Sequence, residues 1–245
     1  MATVSQLYSV SNSKALCPWL VKEGYLYFSQ LFGGHPDDLG FVKKLELSSL
    51  SEAVVYGGHN LWAMWEAVHD KKNNRLIFAG EGDDGSGIQR AGLTIIDLLN
   101  DQGESVFHPN TADANEFIGL ILDYEYKRLI VGERVYGGAG AGSNWPNGGG
   151  LWTIPLDTLD DPSTWTRVYE DPNNAAWGTF AIFGSKLYAG IYRNGTVAKI
   201  VSAPLDDLTA WSDLEVSNRN DLFPSVDADD NMVAYVVVDS SGNVV

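Results

Sequence analysis

Short apolar runs recur along the chain, separated by polar turns rich in Gly, Asn and Asp. The clearest run places a small or basic residue before an apolar strand: Gly24-Tyr-Leu-Tyr-Phe-Ser29, Arg75-Leu-Ile-Phe-Ala79, Arg128-Leu-Ile-Val-Gly132 and Lys186-Leu-Tyr-Ala-Gly190. A weaker fifth copy is Asn231-Met-Val-Ala-Tyr-Val236. A period of roughly 45 to 60 residues is that of propeller blades and too long for most helical solenoids. Each copy follows another apolar strand. The first four also lead into a Gly-bearing loop, a third strand and a fourth. The third strand often ends in a Leu-Asp-x-Leu corner, as at Leu156-Asp-Thr-Leu159 and Leu205-Asp-Asp-Leu208, and Trp165 and Trp211 follow shortly after.

No segment sustains a helical period with caps, so the pattern predicts an all-β chain. Four strands per repeat favour a propeller over a sandwich. The expected blades span about 15–56, 61–107, 116–169 and 176–216, with a fifth at about 222–245 that runs out near its third strand. Residues 3–11 form a strand with no blade of their own. Placed in the fifth blade they close a ring and remove two sheet edges. The whole resembles a five-bladed β-propeller of four-stranded antiparallel blades, closed by the N-terminal strand. The resemblance is to the architecture alone, since the repeat carries no WD, kelch or sialidase signature.

Composition supports a large core. Hydrophobic residues make up 44% of the 245, with eight Trp, eleven Tyr and nine Phe. The net charge of −16 argues against nucleic acid and anionic membranes as partners. The single cysteine, Cys17, allows no internal disulfide and reads as a small buried hydrophobe. No run is long enough to insert into a membrane, and the N-terminus lacks the basic and apolar regions of a signal peptide. The expectation is a soluble protein, cytoplasmic or incorporated into a particle such as a virion.

Antiparallel blades sort their loops onto two faces. The connections between first and second strands are short. The opposite face gathers the long, Gly-rich loops, where binding residues are expected. It carries the candidate ligand residues His59, Asn60, Asp83, Asp84, His108, Arg134, Trp145, Asn147 and Arg193. An exposed Trp among planar polar groups suits a sugar ring. Glu81, Asp83 and Asp84 offer hard oxygen ligands to Ca2+, although the loop is no EF-hand; otherwise no cofactor is expected. Glu81 and Glu133 are the best pair for glycoside chemistry. They stand six and five residues beyond their Arg, which points them to opposite faces of their blades. Glu66 is the one carboxylate well inside an innermost strand, set towards the short-turn end, and the channel wall otherwise reads as apolar. The leading expectation is a non-catalytic module that binds a glycan or protein partner, or assembles into a larger structure. The alternative is a glycoside hydrolase or lyase using carboxylates of the long-loop face.

Overall fold

In the computed structural model the described residues are 15–32, 39–58, 61–83, 89–108, 115–135, 149–170, 175–193, 197–217, 223–226 and 233–236. They form antiparallel sheets and a single 3-10 turn at Pro162–Thr164. The first sheet comprises β1 (Ala15–Lys22), β2 (Tyr25–Phe32), β3 (Leu39–Glu46) and β4 (Glu52–Gly58). The second comprises β5 (Leu61–Asp70), β6 (Arg75–Asp83), β7 (Gln89–Asp97) and β8 (Gln102–Phe107). The third holds β9 (Asn115–Asp123), β10 (Arg128–Val135), β11 (Gly150–Pro155) and β12 (Thr166–Glu170). The fourth holds β13 (Ala175–Phe183), β14 (Lys186–Arg193), β15 (Val197–Pro204) and β16 (Ser212–Ser217). Finally β17 (Phe223–Val226) pairs with β18 (Val233–Val236).

Every sheet runs in simple meander order, and the sheets pack face to face as propeller blades. Their first strands neighbour one another: β5 touches β9, β9 touches β13, and β13 touches β17. These are the innermost strands. Residues 3–11 and 237–245, which carry the ring-closure expectation, lie outside the described residues.

Strand alternation fills the spaces between blades. Tyr27 and Val42 of the first sheet meet Leu76, Phe78 and Ile96 of the second. Ile77, Ala79 and Leu93 face the other way, onto Leu129, Val131 and Trp152 of the third. Ile130 and Leu151 then meet Trp177, Leu187 and Ala189 of the fourth. Gly132 allows the tightest of these approaches, because a Cβ there would lie 2.1 Å from the Trp177 carbonyl oxygen.

The repeat residues turn out to be stitches between blades. Arg75 donates through Nε to Asp70 at 2.8 Å and through Nη2 to the carbonyl of Leu156, in the next blade, at 2.6 Å. One blade on, Arg128 donates through Nε to Asp123 at 2.8 Å and through Nη2 to the carbonyl of Leu205. The Leu-Asp-x-Leu corner therefore supplies an acceptor to the preceding blade. Its leucines, Leu156 with Leu159 and Leu205 with Leu208, plug the same interface, as do Trp165 and Trp211. Asp70 is fully buried. Burial pushes its carboxyl up, but hydrogen bonds from Asn73, Arg75 and Tyr124 outweigh this and hold it below the usual range.

Candidate functional site between the second and third blades

The space between the second and third sheets changes character along its length. The Asp70, Arg75 and Tyr124 network closes it at the short turns, and a largely apolar stretch follows. Towards the long-loop end it gathers carboxylates, an imidazole and aromatic rings. Glu81 continues the alternation of Ile77 and Ala79 and so faces the third blade. Glu133 continues that of Leu129 and Val131 and so faces the second. The odd spacing does place these two glutamates on opposite faces of their own blades. In a propeller, opposite faces of neighbouring blades are the ones that meet, so the offset brings them into one interface without a bulge in β6 or β10. The irregularity opposite Glu133 lies in β9, where pairing steps from Gly119 to Phe117.

Glu133 is 1% exposed. One of its oxygens, Oε2, accepts a hydrogen bond from the Trp152 indole at 2.9 Å and lies 3.1 Å from Arg167 Nε. Such a carboxylate is tied to its counter-charge and fixed in orientation. Gly150 makes room for this, because Arg167 lies across its α-carbon and a Cβ would sit 2.3 Å from Nε. His108 is buried, with its ring 4.7 Å from Trp152 and 5.9 Å from Trp165. Phe117 completes the aromatic wall, 5.9 Å from Trp152 and 6.0 Å from Trp165. Burial, and then the charge of Arg90, holds the His108 imidazole below its ordinary value, so it is neutral at pH 7.

Glu66 belongs to the same interface. It stands opposite Ala79 on β5, so it shares a sheet face with Ala79 and Glu81, turned to the third blade. Its Oε2 accepts the backbone N–H of Leu120, on the innermost strand of that blade, at 3.1 Å. Burial drives the Glu66 carboxyl up to about 7, against the opposing pull of that one bond. Beside it Trp65, the residue at which the β5–β6 register slips, is 46% exposed. The innermost strands thus carry ionisable groups at mid-height, and Glu116 on β9 is buried as well. One strand over and two residues along, Glu66 and Glu81 have α-carbons about 8 Å apart by ideal sheet spacings.

The other sequence candidates divide sharply. Asp83 ends β6, half-buried, and Arg134 and Arg193 close β10 and β14 at the same end of their blades. His59, Asn60, Asp84, Trp145 and Asn147 lie outside the described residues. Among the described residues no three His, Cys, Asp or Glu side chains are grouped to hold a metal ion, and no helix is long and apolar enough to cross a membrane. Sequence reading set Glu66 aside as too close to the short turns. The missed signal was the Trp-Ala-Met-Trp-Glu run itself, whose broken alternation marks a bulged strand.

No protein-family model matches the chain, and no curated protein matches it in sequence. Solved structures do match. An oligogalacturonate lyase in complex with manganese is similar at 9% identity and a TM-score of 0.55, over 87% of this chain and 58% of that one. The oligogalacturonate lyase of Vibrio parahaemolyticus is similar at 11% identity and 0.52, over 96% and 69%. The acylaminoacyl peptidase of Pyrococcus horikoshii is similar at 9% and 0.51, over 88% and 34%. The chain thus spans about a third of the peptidase and over half of each lyase. At these identities the likeness is one of fold. Even so, it corrects the leading expectation of a non-catalytic binding or assembly module. These three structures are enzymes, two of them lyases named for a glycan, where the expectation was a non-catalytic module.

Proposed function

We propose that the chain is a glycan-cleaving enzyme working between its second and third blades. The observation that carries this reading is Glu66, an acid half-protonated near neutrality on an innermost strand beside a half-exposed Trp. In the glycoside hydrolase form, Glu66 gives its proton to the glycosidic oxygen as the bond to the anomeric carbon breaks. Glu81 takes a proton from the water that adds to that carbon. The carboxylate separations used by glycosidases are about 5–9 Å, and an α-carbon spacing of about 8 Å lets the side chains reach that range. Trp65 offers an apolar face to a sugar ring. Arg167 and Trp152 hold Glu133 as a fixed charge behind the site. In a lyase form Glu81 takes the proton next to a uronate carboxylate, and Glu66 protonates the departing oxygen in the same elimination.

The glycan would enter from the long-loop face, where Trp145, Asn147, His59 and Asn60 belong by sequence. We also propose that the propeller has five blades and that residues 3–11 close it beside β17 and β18. The burial of Phe28 and Gln30, on the side of the first sheet turned away from the second, supports this.

The test is a panel of neutral and uronate-containing oligosaccharides, read for new reducing ends and for the ultraviolet absorbance of an unsaturated product. Wild type is compared with E66Q, E81Q and H108A. Cleavage by wild type with a loss of 10²-fold or more in E66Q is expected, since positioned proton transfer contributes about that much. Cleavage unchanged in all three variants would remove the site from consideration.

A further inference from the structure

The face carrying the short turns holds a cleft that the proposed chemistry does not use. It lies on the seam between the second and third blades and has a volume of about 290 Å3. Lys72 and Asn73 of the β5–β6 turn line it, with Tyr124 and Lys127 of the β9–β10 turn. Leu156 and Asp157 of the Leu-Asp-x-Leu corner complete the lining.

The two lysines are unusual in so acidic a chain. Asp and Glu number 32 against 16 Lys and Arg, and Lys22, Lys43 and Lys44 each pair with a carboxylate. Among the described residues Lys72 and Lys127 pair with none, although Asp157 lines the same cleft. Lys72 is nevertheless held in place. Its Nζ lies 4.1 Å from the centre of the Tyr124 ring, and the Tyr124 hydroxyl donates to the fully buried Asp70 at 2.9 Å. A ring face attracts an ammonium but occupies only part of its three N–H donors. Lys127 rises from a fixed base, since its carbonyl accepts the Leu156 N–H at 3.0 Å. Both lysines are exposed, so a solute reaches them directly.

Two ammoniums against one carboxylate favour an anion. Of the nearby acids, Asp70 and Asp123 are paired with Arg75 and Arg128, and Glu125 lines a separate cleft. More distant charges are screened beyond about 8 Å at physiological ionic strength. A carboxylate brings one negative charge, whereas a phosphate monoester brings about −1.5 to −2 at pH 7, enough to meet both lysines at once. Lysine suits phosphate as a point charge. Asp157 then needs a donor from the ligand, and a hydroxyl supplies one.

We propose that this cleft binds a small phosphate monoester that also carries hydroxyls, such as a sugar phosphate. Lys72 and Lys127 take the phosphate, and Asp157 accepts from a hydroxyl beside it. The site lies on the face opposite the proposed glycan site and does not depend on it.

Calorimetric titration of the full chain with glucose 6-phosphate, glucose and inorganic phosphate tests this, in wild type and in K72M/K127M. Saturable one-to-one binding of glucose 6-phosphate by wild type is expected, tighter than that of either control. The double variant should weaken it about tenfold, since each exposed ion pair contributes up to roughly fivefold. Raising the salt from about 0.05 to 0.5 M should weaken wild-type binding as well. Absence of saturable binding would overturn the proposal, as would equal affinity for glucose or for inorganic phosphate. Binding that is indifferent to salt, or that survives intact in the double variant, would place the ligand elsewhere and overturn it too.

Discussion

Glu66 accepts a hydrogen bond from the backbone N–H of Leu120, so a carboxyl on one innermost strand satisfies an edge donor on the next. The bond has two readings: a structural tie between blades, or a tether that aims an acid. Glutamine keeps an acceptor for Leu120 and cannot titrate, which separates them. A tie predicts an E66Q protein of ordinary activity. An acid predicts a folded, inactive one, with wild-type activity falling as pH rises through about 7.

The same carboxyl makes a stability prediction. Its value is raised in the folded state, from 4.5 to about 7. Between those values the native protein keeps a proton that the unfolded chain releases. Stability contributed by this group is therefore present below about pH 4.5 and lost as pH rises to about 7, at no more than ~1.4 kcal/mol per unit. E66Q lacks this slope. Urea unfolding midpoints at several pH values should show the variant gaining on wild type as pH rises.

Arg75 and Arg128 each join two blades, so R75M and R128M should destabilise by about 3 kcal/mol. Each leaves a buried aspartate short of its counter-charge. The loss should shrink when Asp70 or Asp123 is changed to Asn in the same chain. Denaturant midpoints of the single and double variants check this coupling.

Gly132 faces the Trp177 carbonyl oxygen so closely that G132A must push the third and fourth blades apart. Overpacking of this kind costs about 1–3 kcal/mol. The thermal midpoint reads it, and Trp fluorescence should change as Trp177 shifts.

Much of the blade architecture was legible in the sequence, because alternation and the Arg-Leu and Leu-Asp-x-Leu repeats report directly on what each strand buries. What the Arg does was not legible. Its partner, the Leu156 or Leu205 carbonyl, lies some 80 residues on, and a backbone acceptor leaves no mark on sequence. Glu81 and Glu133 were picked out as a pair on residue type. The reason they share an interface needed the blade-to-blade packing, in which opposite faces meet. Glu66 was visible but misjudged, because the register slips at Trp62 and Trp65 alter where along the strand it stands.

Removing residues 1–11 tests the proposed ring closure. Closure predicts a thermal midpoint lowered by several degrees or more, since an interior strand is lost. A midpoint equal to that of the full chain would show that the ring does not depend on this segment.

The Arg75 and Arg128 stitches both sit at the short-turn ends of their strands. Blades fastened at one end behave like the leaves of a fan held at its pivot. Any splaying between the second and third sheets is smallest at the stitches and greatest at the far rim, where His108, Glu81 and Glu133 stand. The stiff end and the yielding end of the molecule are thus separated along the blade axis. A small opening of that rim leaves the pivot held.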